Sequence, residues 1–76
     1  MKAQATQRKA QSRRRGLPNL RLWRQRRGLS IGQLADMTGL RRTTIAHLED
    51  GREEPQPYHV RLLARVLEIS QLELVS

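Results

Sequence analysis

Apolar residues return along this chain every three or four positions and nowhere in strict alternation, a helical period without a strand signature. Leu20, Trp23 and Arg27 fall at i, i+3 and i+7, and Gly28 ends that segment; Pro18 suits its first turn. In the second segment Leu34, Ala35 and Met37 face inward. Ser30 is its N-cap, Gln33 completes a capping box, and Leu29 and Leu34 take the two hydrophobic-staple positions. Gly39 stops it. The third segment buries Ile45 and Leu48, with Glu49 beside them, and runs to Asp50 before Gly51. A turn holding Pro55 follows. Pro57 then opens a fourth helix with Val60, Leu63, Ala64 and Leu67 inward. Ser70 and Glu73 form a capping box on a short fifth helix, with Ile69 and Leu74 as its staple. The pattern predicts an all-α, compact bundle of about five short helices. The two histidines split: His47 lies on an outer edge, and His59 reads as surface.

The periodicity is missing before Gly16. Residues 1–16 hold no apolar residue larger than Ala after Met1, so they have nothing to bury and read as a flexible, disordered arm ahead of a domain at 17–76. Charge sharpens that division. Of the 15 Lys+Arg and 7 Asp+Glu that give net +8, residues 1–16 contribute Lys2, Arg8, Lys9, Arg13, Arg14 and Arg15 and no acid. The rest is then 9 basic against 7 acidic, or +2. A basic arm on a near-balanced domain points to a polyanion, nucleic acid ahead of an anionic membrane surface. At 76 residues the core is thin. The absence of Cys excludes a disulfide framework, a thiolate metal site and a Cys nucleophile. No apolar run is long enough to span a membrane, and the N-terminus lacks the apolar core of a secretory signal.

The second and third segments are separated only by Thr38-Gly39-Leu40-Arg41, the spacing of a helix-turn-helix. The third helix then presents Arg41, Arg42, Thr43, Thr44 and His47 outward while Ile45 and Leu48 hold it from behind. Arg offers a bidentate donor to guanine or a strong phosphate contact, and Thr offers a hydroxyl and a methyl to base edges. Each residue has a plainer reading. Thr43 and Thr44 also suit a helix start. Arg21 and Arg26 fit a solvated face as well as a pass beside phosphate. The arm serves equally as a spacer. Ser30, Asp36 and His47 have no spacing that links a nucleophile to a base, and no Gly-rich phosphate loop is present, so the chain does not read as an enzyme. Two histidines without Cys or clustered carboxylates indicate no metal site, and no cofactor is implied.

The order Arg27-Gly28-Leu29-Ser30, Leu34-Ala35, Gly39-Leu40, Thr44-Ile45, Leu48-Glu49, Gly51 and Pro55 resembles the lambda-repressor-like, Cro/C1-type (XRE) helix-turn-helix domains, from about Leu17 to Leu74. The resemblance implies that Arg42, Thr43, Thr44 and His47 read bases from the third helix in the major groove. It implies that Arg41, Ser30, Ile31 and Arg52 meet the DNA backbone, and that Arg24 and Glu49 form a structural ion pair between the first and third helices. Arg13, Arg14 and Arg15 of the arm join the backbone set on charge. The chain departs from the family pattern at Arg41, where a capping Ser or Thr is common, and at Ile31, where many members carry a polar residue. It departs again at Glu68, which replaces a frequent Gly, and at the acids Glu53 and Glu54.

A sequence-specific double-stranded DNA-binding transcriptional regulator, repressor or autoregulator, is the function this implies, in the cytoplasm and with the nucleoid when bound. An antitoxin-type or multiprotein-bridging module acting through a protein partner uses the same fold and stays open. With no separate dimerisation domain in the sequence, Leu62, Val66 and Leu72 are the spare apolar residues for a weak homodimer formed on DNA.

Overall fold

The computed structural model describes residues 16–76. Among them are five helices and no strand: α1 Leu20–Arg26, α2 Ile31–Thr38, α3 Arg42–Asp50, α4 Pro57–Leu67 and α5 Gln71–Val75.

Local chemistry sets most of the boundaries. Ser30 Oγ accepts from Gln33 N at 3.0 Å while Gln33 Oε1 accepts from Ser30 N at 2.8 Å, so both halves of the capping box on α2 are made. Ser70 and Glu73 repeat it on α5 at 3.1 and 2.9 Å. Gly39 and Gly51 close α2 and α3 in left-handed geometry, φ 80° and 82°. Helix α4 ends the same way on Glu68, at φ 61° and ψ 46°. A side chain with a Cβ pays for that conformation in steric strain.

One core joins all five helices. Leu17, Leu20, Leu34, Ile45, Leu48, Leu63, Leu67 and Leu74 are fully buried, and Trp23, Leu29, Ile31, Leu40, Val60, Val66 and Ile69 pack on its margin. Each fully buried side chain of this kind stabilises by roughly 1.5–3 kcal/mol relative to exposure.

Three features differ from what the periodicity predicts. Pro18 lies ahead of α1 instead of in its first turn. Leu17 is drawn into the core, its N–H donates to Leu48 O at 2.8 Å, and a turn closed by Leu20 N to Leu17 O must precede the helix. Met37 is 55% exposed. The side of α2 turned to the core carries buried Leu34 and Ala35 and half-buried Thr38, whose Oγ1 donates back to Leu34 O at 2.8 Å, and Met37 falls beside it. His59 is 2% exposed where the surface was expected. Its Nδ1 accepts from Gln56 N at 3.0 Å, satisfying an N-terminal donor of α4, and that bond folds the ring inward against Tyr58, centroids 4.4 Å apart.

Gly16 seats the start of the domain. It has φ 77°, and a Cβ there would meet the Leu48 carbonyl and lie 2.8 Å from Gly51 Cα. Glycine lets this segment pass directly against the C-terminal end of α3.

Candidate nucleic-acid interface

Helices α2 and α3 are joined by Gly39, Leu40 and Arg41, the last extended at φ −77° and ψ 149°. Leu40 N donates to Thr38 Oγ1 at 3.2 Å, which holds the turn. Arg41 is the N-cap of α3 and makes no side-chain cap, because a guanidinium has no acceptor to offer.

Inward-facing Ile45 and Leu48, both fully buried, fix which edge of α3 faces out. Arg41, Arg42 and Thr43 are exposed, and Thr44 and His47 are half-buried. Opposite that buried edge lie Thr43 and, one turn on, His47, with Arg42 and Thr44 to either side and Arg41 just ahead of the helix. The Arg42 guanidinium reaches across to α2 and lies over Gly32. His47 Nδ1 stands 3.9 Å from Glu53 Oε1, and Arg52 follows Gly51 with its N–H donating to His47 O at 2.9 Å. At the start of α2 the Ser30 hydroxyl and N–H are both committed to Gln33, and Ile31 packs on the core margin. Among the described residues the N–H groups of Ile31 and Gly32 find no backbone acceptor and are the open donors of that helix end. Arg13, Arg14 and Arg15 lie outside the described residues.

The other arginines have different occupations. Glu49 and Asp50 sit in the last turn of α3, where the helix dipole disfavours acids. Arg24 clamps Glu49 with two bonds, Nε to Oε2 at 2.6 Å and Nη2 to Oε1 at 3.1 Å, and gives Nη1 to Leu29 O at 2.9 Å. Arg21 adds Nε to Glu49 Oε1 and Nη2 to Asp50 Oδ1, both 3.1 Å. The Glu49 side chain is fully buried and that of Arg24 is 11% exposed. The hydrogen bonds that Arg24 donates to Glu49 hold its guanidinium above its ordinary pKa, with burial opposing and the Coulomb attraction of Glu49 adding. Arg27 donates Nε to Leu67 O at 2.7 Å and Nη2 to Glu68 O at 3.2 Å, binding the C-terminal carbonyls of α4. Arg41, Arg42 and Arg52 carry no ion pair among the described residues. The acids at the far end of α3 are thus held by α1, and the N-terminal end keeps its cations available.

The roles of Arg21 and Arg27 are not evident from the sequence pattern alone. The i, i+3 spacing of Arg21 and Arg24 places those two as neighbours on α1, whereas Arg27 follows the Leu20–Trp23 side and reaches α4. Asn19 is a further case: its Nδ2 donates to Glu73 O at 3.1 Å and to Ser76 O, strapping the start of α1 to α5. Among the apolar residues set aside for self-association, Leu72 is 72% exposed, Leu62 is half-buried, and Val66 packs partly on the core. Among the described residues no group of metal-ligating side chains occurs, and no helix is long and apolar enough to cross a membrane.

A family model described as helix-turn-helix matches residues 20–74. Among solved structures, the restriction-modification controller protein C.AhdI from Aeromonas hydrophila superposes with a TM-score of 0.72 at 33% identity, over 75% of this chain and 86% of that one. No curated protein sequence matches the chain.

Proposed function

The chain belongs to the helix-turn-helix family of the Cro/C1 type and is a DNA-binding transcription regulator; from that premise we propose that it reads a specific double-stranded sequence with α3 in the major groove and acts as a repressor or autoregulator. The observation that carries this reading is the partition of charge along α3. Its N-terminal end offers Arg41 and Arg42 without a carboxylate partner among the described residues, while its two C-terminal acids are held by Arg21 and Arg24. Arg42, Thr43, Thr44 and His47 are the base-reading set. Arg41, Arg52, the first turn of α2 at Ser30 and Ile31, and Arg13, Arg14 and Arg15 hold phosphates. The similarity to a controller protein supports a regulatory role. One α3 covers few base pairs, so two copies bind a near-palindrome with half-sites roughly 34–36 Å apart. Leu62, Val66 and Leu72 supply a weak contact between them, and the complex forms in the cytoplasm.

Selection of bound duplexes from a random pool tests the proposal. An enriched inverted repeat is expected. A pool with no enriched sequence would overturn it in favour of a module directed at a protein partner.

A further inference from the structure

Gly32 is the one glycine of five whose backbone does not call for glycine. Gly16, Gly28, Gly39 and Gly51 all have positive φ. Gly32 sits in the first turn of α2 without that feature, and in such a position alanine is the better helix residue. Steric room for the backbone does not explain it either, because the atoms a side chain would meet belong to Arg42. A Cβ on Gly32 would stand 3.0 Å from Nη2, 3.1 Å from Cζ and 3.2 Å from Nε. Three guanidinium atoms at nearly equal range mean that one face of the group rests on the bare Cα of Gly32.

We propose that Gly32 is a positioning residue for sequence readout: its missing side chain seats the Arg42 guanidinium over the first turn of α2 and so aims the donors of Arg42 at the base edge that α3 reads. The inference rests on the DNA-reading role proposed for α3. Arg42 is long and rich in rotamers, and among the described residues no carboxylate holds it. A surface that seats one face of the planar group leaves its N–H edge free and reduces the rotamer freedom lost on binding. A Cβ at position 32 would press on the guanidinium more tightly than most side-chain contacts do, and the flexible end of Arg42 gives way by a few tenths of an ångström. The helix stays, and the aim changes.

The test uses the full chain and its Gly32→Ala, Arg42→Ala and doubly substituted forms. Each is titrated with a duplex selected from a random pool by the unmodified chain and with a scrambled duplex. Gly32→Ala is expected to melt at or above the unmodified chain. Its preference for the selected over the scrambled duplex should fall roughly three- to tenfold, part of what one bidentate base pairing contributes. Repeating the selection with it should relax or change one base position per half-site. The double form should lose no more than Arg42→Ala alone, since both changes act through one guanidinium. An unchanged preference overturns the inference. So does a Gly32→Ala loss that persists in the Arg42→Ala background, or one that follows a lowered melting temperature, because either gives Gly32 an effect of its own. If the unmodified chain enriches no sequence, the DNA-reading proposal fails first and this inference falls with it.

Discussion

Glu49 places a carboxylate in the last turn of α3, against the helix dipole, with its side chain fully buried. Only the arginines of α1 make that tolerable. Removing the acid leaves Arg24, itself mostly buried, with Leu29 O as its remaining partner. Glu49→Ala should therefore destabilise by about 3 kcal/mol, the lower end for stripping one partner from a buried pair. Glu53, 3.9 Å from His47 and partly exposed, gives the contrast: its replacement by Ala should stay within about 0.5 kcal/mol. Chemical denaturation of both variants checks the difference, and equal midpoints would deny the pair its structural role. The pair adds no pH slope through Arg24. Its pKa is raised, so its contribution is complete at lower pH and is lost only above the ordinary arginine range. Arg42 belongs to the other population of arginines. Arg42→Ala should cost about 1–3 kcal/mol on the selected duplex and relax one base position per half-site. Equal weakening on selected and random duplexes would reassign it to phosphate.

At the level of elements, α1 acts as a strap. Its Asn19 end holds α5, its middle holds the end of α3, and Arg27 beyond its end holds the end of α4. These bonds satisfy carbonyls and carboxylates that helix ends leave exposed. The weak point is the turn from α4 to α5, where Glu68 is the one non-glycine with positive φ among the described residues. Glu68 is exposed and Arg27 uses only its backbone carbonyl. Glu68→Gly should therefore stabilise by about 0.5–1 kcal/mol, the relief of left-handed strain less the entropy glycine adds to the unfolded chain. In a domain this small that is several degrees of melting temperature. A lower melting temperature would show that the Glu68 side chain contributes more than its backbone strain costs.

For the whole molecule, charge and association decide the outcome. Residues 1–15 carry six of the chain's cations and no acid. Their deletion should weaken binding to every duplex and leave the melting temperature of the remaining chain unchanged. The log–log salt slope should fall by about 0.9 for each phosphate that the arm neutralises. An unchanged slope would take the arm off the DNA. The exposed apolar surface of α5 is small, with Leu72 at 72% and Val75 at 46% exposure, far below what a tight dimer buries. Sedimentation should find mostly monomer at micromolar concentration and two chains on a full site; a tight dimer without DNA would contradict this.

Much of this architecture can be read from local chemistry. Capping boxes, left-handed stops and the helical period are set by residues within a turn of one another, so α2, α3 and α5 and the turn between α2 and α3 are legible in the sequence. The resemblance supplied the Arg24–Glu49 pairing that the structure displays. What stayed hidden depends on which helix lies beside which. His59 and Arg21 look like surface residues until the N-terminus of α4 and the acids of α3 are placed next to them. Met37 looks like core until half-buried Thr38 turns to the core side of α2 in its place. The same holds for Gly32, an unexplained glycine along the chain, whose reason emerges only when the crossing of α2 and α3 lays Arg42 over it. A side chain's period tells which way it points from its own helix. Whether another helix waits there is decided by tertiary packing.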